Sequence, residues 1–155
     1  MPAAHTRSRW EGRRRAREAA LRMLYQMEVG QVHFPEVAAT HAAIGGAEAL
    51  SLDEADREYA EELARGTWDN RAALDAYIAD AARNWRVERL AVLDRLLLRL
   101  AVHELLDHPG TPPRVVIDGA IELARAYSGE DAAKFVNGVL DGVFRRLKNE
   151  GRVVD

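Results

Sequence analysis

The stretch LAVLDRLLLRLAVHELL, residues 90–106, decides the fold of this 155-residue chain. Apolar side chains cover almost every face of the helix that it would form, so other elements must surround that helix on most sides. The charged residues within it are too many for a segment that spans a membrane. The stretch therefore predicts the buried central helix of a helical bundle. Asp94, Arg95 and Arg99 would share one narrow exposed strip, or Asp94 would pair with a neighbouring arginine.

The rest of the chain also predicts helices. Alanine, leucine, arginine and glutamate dominate, only five prolines occur, and β-branched residues form no alternating runs. A first helix, from about Arg13 to Val29, repeats its apolar residues at the spacing of one buried stripe. Further helices are expected at about residues 35–43, 53–66, 70–85, 90–106, 112–127 and 131–147. The prediction is an all-α chain of about seven helices, with one compact domain at residues 13–150 behind a flexible basic tail at residues 1–12.

Details of the last two helices can also be predicted. The sixth should bury either the stripe that begins at Val116 and ends at Tyr127 or the adjacent stripe of Ile117, Ile121 and Ala124. Ser128 and Asp131 have the spacing of a capping box at the start of the seventh. Within that helix, Gly138 and Gly142 would together cost roughly 2 kcal/mol relative to alanine, which predicts close helix packing in compensation.

The charge of the chain is concentrated at one end. The net charge is −3, yet residues 1–22 hold seven arginines and two acidic residues, a local charge of +5, so the remainder carries −8. A basic end of this kind is typical either of a solvated tail or of a segment that contacts nucleic acid. Composition alone leaves both interpretations open.

The usual marks of catalysis are missing from the sequence. There is no cysteine, the five histidines are scattered, and neither a nucleophile motif nor a glycine-rich phosphate loop occurs. The N-terminus also lacks the apolar run of a signal peptide. We therefore expect a cytoplasmic protein that is not an enzyme and that needs no metal or cofactor.

Three segments resemble the NusB family of transcription antitermination factors. They are RRRAREAALRMLYQMEVG at residues 13–30, LDRLLLRLAVHEL at residues 93–105, and PPRVVIDGAIELARAYSGEDAAKFVNGVLDGV at residues 112–143. The resemblance is weakest between Gln31 and Arg83. It implies a fold of two packed helical bundles with about seven helices in total, which agrees with the helix count from periodicity.

The resemblance also implies a function and a set of site residues. Members of the family pair with NusE, a small-subunit ribosomal protein, and the pair binds single-stranded boxA RNA of ribosomal RNA transcripts in the elongation complex with other Nus factors. By motif match, the RNA-binding residues would be Arg13, Arg14, Arg15, Arg17, Lys134 and Phe135. Asp94 falls where an acidic residue helps to bind NusE.

Several points stay open at this stage. Arg13 and Arg17 share one helix face and are the preferred pair for phosphate contact. Phe135 could be a core residue or an exposed ring that stacks on a base, and Tyr25 could be core or part of the partner surface. The chain could be a monomer or a homodimer. Alternative functions are the RNA-binding module of a ribosomal RNA cytosine methyltransferase, which would require a catalytic domain after residue 155, and a helical adaptor that binds only protein.

Overall fold

The computed structural model describes residues 2–43 and 52–154, and it describes side chains from residue 11 to residue 40 and from residue 52 to residue 154. The described chain forms seven α-helices and one 3-10 turn at Val87–Arg89, without a strand. The helices are α1 (Pro2–Glu28), α2 (Phe34–Ala43), α3 (Glu54–Asp69), α4 (Arg71–Ala81), α5 (Val92–Asp107), α6 (Pro113–Ser128) and α7 (Glu130–Asn149). The prediction of an all-α fold is confirmed.

The chain divides into two compact units, residues 1–65 and residues 66–155. The boundary lies within α3. The first unit therefore holds α1, α2 and most of α3, and the second holds the remaining helices.

In the first unit, α1 is longer than its apolar period indicates. It begins at Pro2, so the described part of the segment predicted to be a tail is helical. Proline suits the first helical position because its missing N–H has no partner there in any case. The alanines, arginines and glutamate that follow are strong helix formers. Further along α1, a buried stripe faces inward, and α1 packs against α2.

In the second unit, α5 is the central helix that its sequence predicts. Residues 96–105 are all buried, and α5 contacts α4, α6 and α7. The charge of Arg99 is compensated within the unit: its Nε and Nη2 donate hydrogen bonds of 2.7 Å each to the two carboxylate oxygens of Asp75. A bidentate pair of this kind satisfies both charges in a site that is largely screened from water.

The helices α6 and α7 meet at a single residue. Gly129 separates them with a φ of 99°, a left-handed value that favours glycine. No side chain caps the start of α7, so the predicted capping box from Ser128 to Asp131 is wrong. In α6, Val116, Ala120 and Leu123 of the first predicted stripe are buried, although Tyr127 at its end is exposed. Of the adjacent stripe, Ala124 is buried and Ile117 and Ile121 are half-buried, so the buried face includes part of both.

The two glycines of α7 have different surroundings. A Cβ at Gly142 would lie 3.2 Å from the Cβ of Ala81, so this glycine allows close packing of α7 on α4, as predicted. A Cβ at Gly138 would meet no atom of the described chain within 4 Å. The prediction of close helix packing is therefore wrong for Gly138.

Candidate RNA interface

The arginines of α1 point in different directions because successive helical residues are about 100° apart. Arg17 is buried, with only 4% of its surface exposed, and Arg13 is half-buried. Arg14 and Arg15 are exposed. The face shared by Arg13 and Arg17, which the sequence favoured for phosphate contact, is thus the inward face of the helix, and the solvent-facing pair is Arg14 and Arg15.

Arg13 is held by contacts within its own unit. Its guanidinium carbon lies 3.6 Å from the centre of the Tyr59 ring on α3, which is a cation–π contact. Gly12, next to it, lies so close to Asp56 that a Cβ at Gly12 would collide with the carboxylate. Burial raises the pKa of Asp56, Asp53 adds to the rise, and the positive charge of Arg13 opposes it. These contacts tie the arginine segment to α3.

The start of α3 explains why Asp56 is fixed in place. The Asp53 carboxylate accepts a hydrogen bond of 2.8 Å from the backbone N–H of Asp56. The Asp53 side chain therefore caps the N-terminus of α3. Arg15, by contrast, is exposed, and its Nη2 lies 3.8 Å from the carboxylate of Glu11. An exposed pair at that distance contributes little to stability, so a phosphate can compete with Glu11 for Arg15.

The second candidate region lies in the first turns of α7. Lys134 is exposed, and Phe135 is half-buried rather than part of the core. The Phe135 ring centre lies 5.9 Å from that of Trp85, with the ring planes at 72°. At the start of the helix, Glu130 accepts a hydrogen bond of 2.8 Å from Arg125, which lowers the pKa of Glu130. A partly exposed aromatic ring therefore lies beside an exposed lysine.

Trp85 is the residue of this region that the sequence analysis missed. The sequence pattern predicts only that the fourth helix ends there, whereas α4 ends at Ala81 and Trp85 lies in the connection that follows. A signal was available: a tryptophan between Asn84 and Arg86 has polar neighbours on both sides and no apolar period to bury it.

Tyr25 lies on an exposed apolar patch at the end of α1. Its surface is 43% exposed, so it is not a core residue. Val29, four residues further on, is also exposed, and its backbone N–H donates a hydrogen bond of 2.9 Å to the carbonyl of Tyr25. Residues four apart share one helix face, so Tyr25 and Val29 form a single patch.

Asp94 lies in the first turn of α5, and the hydrogen bonding of its carboxylate is incomplete. The side chain is half-buried, and Oδ1 has no hydrogen-bond partner among the described residues. Burial raises the pKa of this carboxyl group. The predicted exposed strip on α5 is therefore not found for Arg99, which is buried with Asp75, and Asp94 stands apart from that pair.

Together these features define a class of protein. The described residues offer exposed arginines and, beside a lysine, an aromatic pair of one exposed and one half-buried ring. This is the surface chemistry of a helical nucleic-acid-binding protein. No helix among the described residues has the length and apolar character needed to cross a membrane.

Comparison with known proteins identifies the family. The model of the NusB family matches residues 14–145. The transcription antitermination protein NusB of Symbiobacterium thermophilum is 41% identical over 140 residues, which cover 88% of this chain and 91% of that protein. The chain belongs to the NusB family, whose members are non-enzymatic transcription antitermination and RNA-binding factors.

Solved structures agree with this assignment. NusB of T. maritima superimposes with a TM-score of 0.73 at 35% identity, covering 86% of this chain and 90% of that one. A crystal structure of the antitermination factors NusB and NusE in complex with double-stranded RNA matches with a TM-score of 0.73 at 26% identity, covering 88% of this chain and 98% of that one. The all-α fold implied by the resemblance is thereby confirmed.

Proposed function

We propose that this chain is a transcription antitermination factor that binds boxA-like single-stranded RNA of ribosomal RNA transcripts together with NusE, in the cytoplasm and within an elongation complex that contains other Nus factors. The observation that carries the proposal is the half-exposed Phe135 ring beside the exposed Lys134 in a chain of the NusB family. An aromatic face binds an unpaired base by stacking, and a neighbouring lysine binds its phosphate. Bases inside a duplex are not available for such stacking, which favours a single strand.

The arginines of α1 supply the charge-driven part of the binding. Arg14 and Arg15 are exposed and contact phosphates directly. Arg13, stacked on Tyr59, and the buried Arg17 hold the segment in shape, so their contribution to RNA affinity is indirect. This division of roles refines the assignment of all four arginines as RNA-binding residues.

We assign two residues to NusE binding, Tyr25 in the first unit and Asp94 in the second. Tyr25, with Val29, provides an exposed apolar patch of the kind that anchors protein interfaces. Asp94 provides a half-buried carboxylate, one oxygen of which is buried without a hydrogen-bond partner in the described chain, and a donor that NusE brings to this carboxylate would stabilise its charge. The solved complex of a NusB with NusE and RNA supports the pairing.

The proposal is tested by titrating a labelled boxA-like RNA with the protein, alone and with NusE, and measuring fluorescence anisotropy. The two lysines of the chain, Lys134 and Lys148, are both exposed and lie on the same helix, near its start and its end. We expect Lys134→Ala to weaken binding about fivefold and Lys148→Ala to leave it unchanged, because loss of one phosphate contact costs on the order of 1 kcal/mol. Equal effects of the two variants, or RNA affinity that NusE does not increase, would contradict the proposal.

A further inference from the structure

We propose that Trp85 is a base-stacking residue and that, with Phe135, it forms one aromatic platform for unpaired nucleotides. This inference rests on the proposed RNA-binding function and extends it to a residue on a different segment of the chain. The name "aromatic platform" refers to Trp85 and Phe135 in the following paragraphs. In it the indole is the principal stacking surface, and the phenyl ring supports it.

The connection that carries Trp85 is anchored on both sides. The backbone N–H of Trp85 donates a hydrogen bond of 2.9 Å to the carbonyl of Ala82, which is buried. Val87, two residues after Trp85, is also buried and begins the 3-10 turn. The tryptophan therefore occupies a short segment whose two ends are fixed in the core of the unit.

Trp85 is nevertheless left in solvent. Its surface is 59% exposed, the largest exposure of any aromatic residue whose side chain is described. Leaving an indole in water forgoes the large gain that burial of such a ring provides. Since the segment is held between the buried Ala82 and Val87, the exposure results from the direction of the Trp85 side chain, which suits a residue that is buried by a ligand.

Phe135 fixes the orientation of the indole. The two rings meet edge to face, with centres 5.9 Å apart and planes at 72°. This geometry is a favourable one for aromatic pairs, so it limits the rotamers of both side chains before any ligand arrives. Because Phe135 is half-buried and Trp85 is the more exposed, the indole presents the larger free face to a base.

The charges along the same segments identify the occupant. Arg83 and Arg86 flank Trp85 in the connection, Lys134 precedes Phe135, and all three are exposed. Of the two acids in the first turn of α7, Glu130 is paired with Arg125 and Asp131 is exposed, so the three cations outnumber the unpaired acid of that turn. A flat apolar surface with cations beside it suits a ligand that combines a flat ring with a negative charge, which is the chemistry of an unpaired nucleotide.

The direct test uses the fluorescence of Trp85. The chain has three tryptophans, so Trp10→Phe/Trp68→Phe leaves Trp85 as the only reporter. Phenylalanine at residue 68 keeps an aromatic face for the Arg71 guanidinium, which lies 4.1 Å from the Trp68 ring centre. Titration with single-stranded boxA-like RNA should quench the emission with the dissociation constant that anisotropy gives. The matched control, Trp10→Phe/Trp85→Phe, reports from Trp68 and should show no change at saturation.

Substitution gives a second readout. We expect Trp85→Ala to lower RNA affinity by roughly 5- to 150-fold, without changing the slope of log affinity against log salt, because stacking involves no counterion release. Trp85→Phe should retain most of the affinity. The thermal midpoint of both variants should stay close to that of the parent, since the side chain is largely exposed.

The possible outcomes separate this inference from the proposed function. If the parent binds RNA but Trp85 emission is unaffected and Trp85→Ala binds normally, the aromatic platform is wrong and the RNA-binding function stands. If NusE alone changes the Trp85 emission and RNA does not, Trp85 belongs to a protein interface and the inference is also overturned. If the parent binds no RNA with or without NusE, both fail together.

Discussion

The two candidate RNA-contacting regions are built in different ways. The arginine segment of α1 is partly internal, because Arg17 is buried and Arg13 is stacked on Tyr59, while Arg14 and Arg15 face the solvent. The first turns of α7 present Lys134 and Phe135 outward, with Trp85 beside them. The difference teaches that a run of like residues can combine structural and binding roles. Position around the helix, rather than residue type, divides the two roles.

The largest expected effect separates the two roles within α1. Arg17→Ala should lower the free energy of unfolding by about 3 kcal/mol, since it removes the packing of a buried side chain and leaves its partners unsatisfied. Arg14→Ala should change it by less than about 0.5 kcal/mol, as is usual for exposed positions. Urea denaturation followed by circular dichroism measures both. Equal losses of stability would remove the distinction between the inward and outward arginines.

The distinction between structural and binding residues also applies to two acidic residues of the second unit, Asp75 and Asp94. Asp75→Asn should cost about 2 kcal/mol of stability, because it breaks the bidentate pair with Arg99. Asp94→Asn should cost no stability and should instead weaken NusE binding by about 2 kcal/mol, because one oxygen of the Asp94 carboxylate has no hydrogen-bond donor in the described chain. Chemical denaturation measures the change in stability, and calorimetric titration with NusE measures the change in binding free energy. An Asp94→Asn protein that is clearly destabilised would show that the carboxylate is satisfied internally.

The raised pKa of Asp94 makes the stability of the folded protein depend on pH. Because burial raises its folded-state pKa above the unfolded value near 3.8, the folded protein holds more protons between those two values. The Asp94 contribution to stability is therefore present at low pH and is lost as the pH rises through this window. The stability difference between Asp94→Asn and the parent should consequently grow in favour of the variant over the same window. A difference that is independent of pH would contradict the burial of this group.

Truncation of Phe135 tests the second candidate RNA-contacting region, the first turns of α7. Phe135→Ala should lower RNA affinity by about 1.5 kcal/mol through the loss of stacking. Its stability cost should be well below the 3–5 kcal/mol of a buried phenylalanine, since the ring is only half-buried. Thermal melting is measured first, and RNA titration follows on the folded variant. A melting loss typical of a core residue together with normal RNA affinity would make Phe135 structural, like Arg17.

The smallest effect concerns the surface just beyond Lys134 and Phe135. Gly138 follows them by one helical turn, and a Cβ there would meet no atom of the described chain. Gly138→Ala should therefore raise stability by about 0.5–1 kcal/mol. Gly142→Ala is the matched control and should not stabilise, because its Cβ would press on Ala81. If Gly138→Ala also loses RNA affinity, the contacted surface extends one turn along α7; if it is not stabilised, the space at Gly138 is not open.

Much of the fold was predictable from local pattern. Apolar periodicity located the helices, and the nearly all-apolar stretch of α5 identified the central one, because burial on all sides requires surrounding elements. Periodicity did not predict the start of α1 at Pro2, since residues 2–12 form a helix through propensity without an apolar stripe. The turn at Gly129 was also misread, because Ser128 has the residue type of a cap but continues α6 instead.

The candidate site was less predictable, because exposure depends on contacts between segments that are distant in sequence. The inward direction of Arg13 follows from Tyr59 on another helix, and no local pattern shows it. The pairing of Trp85 with Phe135 likewise joins residues that are 50 positions apart. Residue type and family resemblance indicated the segments that we propose to contact RNA, whereas only the packing of the helices distinguishes the exposed candidate residues from the supporting ones.

The central claim is that the outward arginines bind phosphate and the aromatic ring of α7 binds a base. The most direct test measures RNA affinity over about a tenfold range of salt for the parent, Arg14→Ala/Arg15→Ala and Phe135→Ala. Each phosphate contact on a single strand contributes about 0.7 to the slope of log affinity against log salt. The account predicts that the arginine variant loses about 1.4 in slope and that the Phe135 variant gives a lower line parallel to that of the parent. An arginine variant with the parental slope, or a Phe135 variant with a flattened one, would contradict the account.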